Sequence, residues 1–97
     1  MEEKKEMTHA REAAILEGAI SYFGVDAQIK KAIEELGEVI VELARHLNGK
    51  GNTEAVREEM ADAFVILNQM EMIFGDVTEI EIAKLEQLER RERGFHV

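Results

Sequence analysis

Two pairs of carboxylates have the spacing to hold a divalent cation. Glu35 and Glu38 lie three residues apart, and so do Glu59 and Asp62. On a helix, residues three apart place their side chains in neighbouring positions. Two such helices joined by a short turn would bring four oxygen donors face to face. No His or Cys belongs to the set, so the donors are hard and suit Mg2+ or Mn2+ rather than zinc. A bound cation would invert the local potential and admit an anionic polyphosphate. The plainer alternative is a solvated acidic face, with Lys31 pairing Glu35 and Arg45 near Glu42.

Those acids need helices, and the chain is written for helices. It has 97 residues, no Pro, and many Glu, Lys, Ala, Leu and Ile. Gly24, the Gly49 and Gly51 pair, Gly75 and Gly94 cut it into four segments. Thr8 is placed to cap a first helix reaching Phe23, and Asp26 a second reaching Leu47. Thr53 would cap a third reaching Ile73 or Phe74. Asp76 or Thr78 would cap a fourth ending near Arg93, and Thr78 with Glu81 has the capping-box spacing. The length allows one domain, residues 1–97, with residues 1–7 fraying and residues 94–97 forming a tail. The fold class expected is all-α, a four-helix bundle-like domain.

Both central segments carry apolar residues at alternating spacings of four and three. Ile29, Ile33, Leu36, Ile40, Leu43 and Leu47 form one stripe; Val56, Met60, Ala63, Leu67, Met70 and Phe74 form the other. The pattern predicts an antiparallel hairpin sealed along these two seams. On a helical wheel Glu35 and Glu38 then fall roughly 120° and 180° from the seam centre. Glu59 falls roughly 60° and Asp62 roughly 120° from the seam of the third segment. Glu34 points to the opposite flank. Asp62 is followed by eight uncharged residues, Ala63 to Met70, so the second pair borders apolar surface. Carboxylates there are costly unless neutralised. Phe64, Val65, Ile66, Met72 and Ile73 add further apolar faces, which predicts cover by the other helices or by another subunit.

The formal net charge of -9 disfavours nucleic acid polymers and anionic membrane surfaces as partners. There is no cysteine, so disulfides and thiolate metal sites are excluded. No apolar run approaches the roughly 20 residues of a membrane span. The expectation is a soluble, cytoplasmic protein.

At this point the residues resemble a known family. Glu34-Glu35-Leu36-Gly37-Glu38 has the form EExxE, and Glu59-Met60-Ala61-Asp62 the form ExxD, twenty residues further on. The pairing is similar to the signature of the MazG-like all-α nucleoside triphosphate pyrophosphohydrolases, which are related to dimeric dUTPases. The similarity runs from about Gln28 to Arg91. It implies a MazG-type oligomeric domain, a homodimer or homotetramer. It also implies Mg2+-dependent hydrolysis of a nucleoside triphosphate to the monophosphate and pyrophosphate, a house-cleaning of the nucleotide pool. By that resemblance Glu35, Glu38, Glu59 and Asp62 hold the metal, the four acids that the wheel groups. Glu38 is the candidate general base. Lys84 and Arg91 of the last helix become candidate phosphate contacts, although the Asn usual before that Lys is missing, with Ile82 and Ala83 in its place.

Other positions carry weaker signals. Asn68 sits in the apolar stretch and needs a polar partner, either a base edge or a neighbouring helix. Tyr22 and Phe23 could stack on a base or fill a core. Glu6 and His9 form one ExxH, but a di-iron bundle needs two. The competing function is a non-enzymatic helical oligomer acting as adaptor or regulator, which would be indifferent to Mg2+.

Overall fold

The glycines divide the chain as the sequence predicts. The protein was examined as a computed structural model, which describes residues 6–94. The expectations placed on residues 1–5 and on the tail residues 95–97 lie outside it. The four helices are α1 (His9–Phe23), α2 (Val25–Leu47), α3 (Thr53–Phe74) and α4 (Thr78–Glu92). The chain is all-α over the described residues, and none of these helices is long and apolar enough to cross a membrane.

Local chemistry sets the ends. Thr8 caps α1, its hydroxyl accepting from the Arg11 amide at 3.1 Å. The other three caps differ from expectation. Asn52, not Thr53, caps α3: its Oδ1 accepts from the Ala55 amide at 2.7 Å. An Asn side chain reaches the free amides of the first turn, and Thr53 thereby becomes the first helical residue. Asp26 lies inside α2, which starts at Val25 directly after Gly24 with no side-chain cap. Gly24 has φ 93°, a left-handed conformation that lets two helices meet at a corner with no loop between them. The Gly24 amide closes α1 on the Ile20 carbonyl, while its own carbonyl accepts from the Gln28 amide. At α4 the Thr78 side chain donates to Asp76 at 2.7 Å and makes no capping box with Glu81; Val77 occupies the cap position.

The centre of the molecule is the α2–α3 hairpin, with α1 laid against both helices. The hairpin is antiparallel. Gln28 near the start of α2 bonds Gln69 near the end of α3, and the acids lie between that pair and the loop. The seam, however, is not the expected one. Ile33 and Ile40 are 68 % exposed, and Leu36, Leu43 and Leu47 also face outward. The residues turned inward on α2 are Gln28, Ala32 and Glu35, with Val39 and Glu42 half-buried. On α3 they are Ala63, Ile66 and Gln69, with Ala55, Glu59 and Ile73 half-buried. Most of these inward positions sit one residue before a predicted seam position, a rotation of about 100°. The shift is fuller on α2 than on α3: Ile29 is half-buried as expected, and on α3 Ala63 is buried and Val56 and Met70 half-buried at predicted seam positions. The small side chains of Ala32 and Ala63 let the backbones approach, and the acids turn inward with them.

α4 stands apart. Among the described residues it packs against none of the other three helices. Ile80, Ile82, Leu85 and Leu88 are all exposed on it. The radius of gyration, 16.8 Å, exceeds the about 13 Å of a compact domain of this length.

Candidate metal centre

The rotated hairpin gathers the four acids. Glu35, Glu38, Glu59 and Asp62 each offer a carboxylate oxygen, and these atoms all lie within 4.8 Å of one another. Glu35 is buried, Glu38 and Glu59 are half-buried, and Asp62 is open to solvent. The pocket of charge is thus anchored in the protein and reachable from outside. It is the group of three or more acid or histidine side chains that the described residues bring within ligating distance. His9 and Glu12 instead line a cavity between α1 and α3, with Asn68 and Glu71.

The hydrogen bonding of the cluster is incomplete. Lys31 Nζ lies 3.0 Å from Glu35 Oε1, so the ion pair suggested by the sequence forms. It satisfies one oxygen only. Glu35 Oε2 and Glu59 Oε2 are buried with no hydrogen-bond partner. Buried polar atoms are rarely left so, and a buried carboxylate oxygen is the costliest kind. Glu38 is strained electrostatically as well. The neighbouring Glu59 carboxyl, with partial burial and the charge of Glu35, pushes its pKa up to about 7. Two carboxylates at this distance resist simultaneous ionisation. A divalent cation would answer both observations: it would partner the orphan oxygens and relieve the repulsion. Hard oxygen donors without nitrogen or sulfur fit Mg2+ or Mn2+.

The remaining candidate residues are distributed differently. Asn68 lies on the side of α3 that faces α1 and the start of α4, not on the cluster. Lys84 lines a surface depression formed by α4 alone. Within one chain neither Lys84 nor Arg91 pairs with any of the four acids. Sequence reasoning missed Gln28 and Gln69. Both are buried, are bonded to each other, and share a cavity with Glu35 and Asp62. The signal available was a polar residue inside the uncharged stretch after Asp62, and it was read at Asn68 rather than at its neighbour.

No family model matches this chain, and neither a curated protein nor a solved structure matches it.

Proposed function

We propose that the protein is a Mg2+-dependent nucleotide pyrophosphohydrolase of the MazG-like type, converting (d)NTPs to (d)NMPs and pyrophosphate. The observation that carries this reading is the pair of buried, partnerless oxygens, Glu35 Oε2 and Glu59 Oε2, inside a four-carboxylate cluster. The EExxE and ExxD spacing, and the resemblance built on it, support the same conclusion. Glu35, Glu38, Glu59 and Asp62 would hold the metal, which when bound offsets the polyphosphate charge and polarises the phosphoryl group under attack.

The chain's own residues do the rest. Glu35 and Glu59, on the inner face of the hairpin, would fix the cation and so the place where the charged end of the substrate is received. Glu38 takes a proton from water as the water oxygen bonds to the α-phosphorus. The bond from the α-phosphorus to the bridging oxygen breaks, and pyrophosphate leaves. Lys84 and Arg91 become phosphate contacts only if a second copy delivers them, because among the described residues α4 packs against no other helix. The exposed stripes of α2 and α4 support such a homo-oligomer, dimer or tetramer.

The test is pyrophosphate release from a panel of NTPs and dNTPs, in Mg2+ and in EDTA, for wild type and Glu38→Gln. Release in Mg2+ alone, lowered at least about a hundredfold in the variant, is expected. A folded protein that releases none from any nucleotide overturns the reading and leaves the adaptor or regulator in its place.

A further inference from the structure

Beside the acids lies an open cavity of about 220 Å³ lined by α1, α2 and α3. Glu35 and Asp62 form one wall of it, so it opens directly from the candidate metal centre. Ala19, Val65 and Ile66 supply apolar surface, and Phe23 stands at the edge. The remaining polar lining, apart from Lys31, is the amide pair Gln28 and Gln69, exposed by only 7 % and 6 %. An apolar cavity with a few fixed polar groups is the usual build of a small-molecule site.

The amide pair has hydrogen-bonding capacity left over. Gln28 Nε2 donates to Gln69 Oε1 at 2.5 Å. That bond leaves out the carbonyl oxygen of Gln28 and the amino group of Gln69. The first is an acceptor and the second a donor, and both side chains line the cavity. Exchanging oxygen and nitrogen in both amides keeps the mutual bond and still leaves one acceptor and one donor. The pair therefore presents an adjacent donor and acceptor whichever way it is turned. A nucleobase edge carries the complementary arrangement, an N–H beside a carbonyl or a ring nitrogen beside an amino group. Phe23 adds a ring for stacking. It is 60 % exposed and held edge-on by Tyr22 at 4.8 Å and 87°, so it is not a core residue.

We infer that the Gln28–Gln69 amide pair reads the edge of a nucleobase seated in this cavity beside Phe23, with its phosphates directed to the cation that Glu35 and Asp62 would help to hold. The inference rests on the nucleotide reading of the same site and adds what recognises the base. Lys31, at the rim and paired with Glu35, marks the passage between the two ends.

The test is binding to the full chain in Mg2+, titrating nucleoside monophosphates and, as the probe without a base, inorganic tripolyphosphate. Gln28→Leu and Gln69→Leu keep size and remove the polar edge. Each is expected to weaken nucleotide binding about tenfold and flatten the preference among bases, with tripolyphosphate affinity unchanged. Phe23→Ala, on an exposed residue, keeps the test usable if a buried variant melts early; it should weaken nucleotides about fivefold and spare tripolyphosphate. Variants that bind each nucleotide as wild type does, or that lose tripolyphosphate in equal measure, overturn the inference. The two readings fail separately. Metal-dependent pyrophosphate release with a base ranking unmoved by Gln69→Leu sinks the base site alone. Glutamine-dependent nucleotide binding without any pyrophosphate release sinks the hydrolase alone.

Discussion

The α2–α3 hairpin and α4 are built from similar residues and end in opposite situations. Both mix apolar side chains with many charges. The hairpin buries Ala32, Ala63 and Ile66 within the chain and turns its acids inward. Among the described residues α4 has none buried and packs against no other helix. One region closes a small core around its acids while leaving apolar residues such as Ile33, Ile40 and Phe64 exposed; the other is a helix whose apolar residues are all exposed. The lesson is that a small chain can complete a site before it completes a body. The four acids need only two helices in register, whereas the apolar residues of α4 need surface that the other described helices do not give them.

The comparison can be broken most forcefully in the core. Ile66 is 3 % exposed, and Ile66→Ala should cost about 2–5 kcal/mol in urea unfolding. The matching truncation on α4, Leu85→Ala, should cost less than about 0.5 kcal/mol for an isolated chain. A larger cost that grows with protein concentration would mean that a second copy covers α4. Next comes the metal. Saturating Mg2+, at about a hundred times its dissociation constant, should stabilise the protein by about 2.7 kcal/mol through mass action. In thermal melts that gain should vanish for Glu59→Gln, and in EDTA the same variant should melt no lower than wild type, because it loses a repulsion. A smaller effect belongs to the hairpin's hinge end: Asn52→Ala removes the α3 cap and should cost about 1 kcal/mol in the same urea assay.

The subtlest prediction concerns pH. The Glu38 carboxyl is raised from an ordinary 4.5 to about 7 in the folded protein. The folded state therefore holds this proton more tightly than the unfolded chain does. Its contribution to stability is complete below about pH 4.5 and is lost as pH rises through about 7. Melts in EDTA should fall between pH 5.5 and pH 8 more steeply for wild type than for Glu38→Gln. Equal slopes would remove Glu38 from the account.

What the sequence revealed follows from which quantities are local. Helix ends at Phe23, Leu47 and Phe74 were legible because glycine and the absence of Pro act over a few residues. The grouping of Glu35 with Glu38, and of Glu59 with Asp62, was legible because angles within one helix are fixed by its pitch. What covers each face is not local. The stripes through Ile33 and Ile40 and through Met60 and Leu67 are more apolar than the faces that meet, so at these positions hydrophobicity misplaced the seam by one residue, while Ala63, Val56 and Met70 of the expected α3 seam do turn inward. The true contact is made by small residues and by polar ones that bond across it, as Gln28 bonds Gln69. The same one-residue ambiguity separates Asn68, on the α1 side, from Gln69, on the cluster side.

The corner at Gly24 sets a rule for how the chain can change in length. One residue separates α1 from α2, so the junction holds no slack. Adding a residue there would turn α1 by about 100° relative to α2 and swing Leu16 and Phe23 off their places. The turn between α2 and α3 spans residues 48–52 and lies at the far end of the hairpin from Gln28 and Gln69. A one-residue insertion at the corner should therefore lower the melting temperature more than one in the turn. The two joints differ in slack, although glycine stands in both.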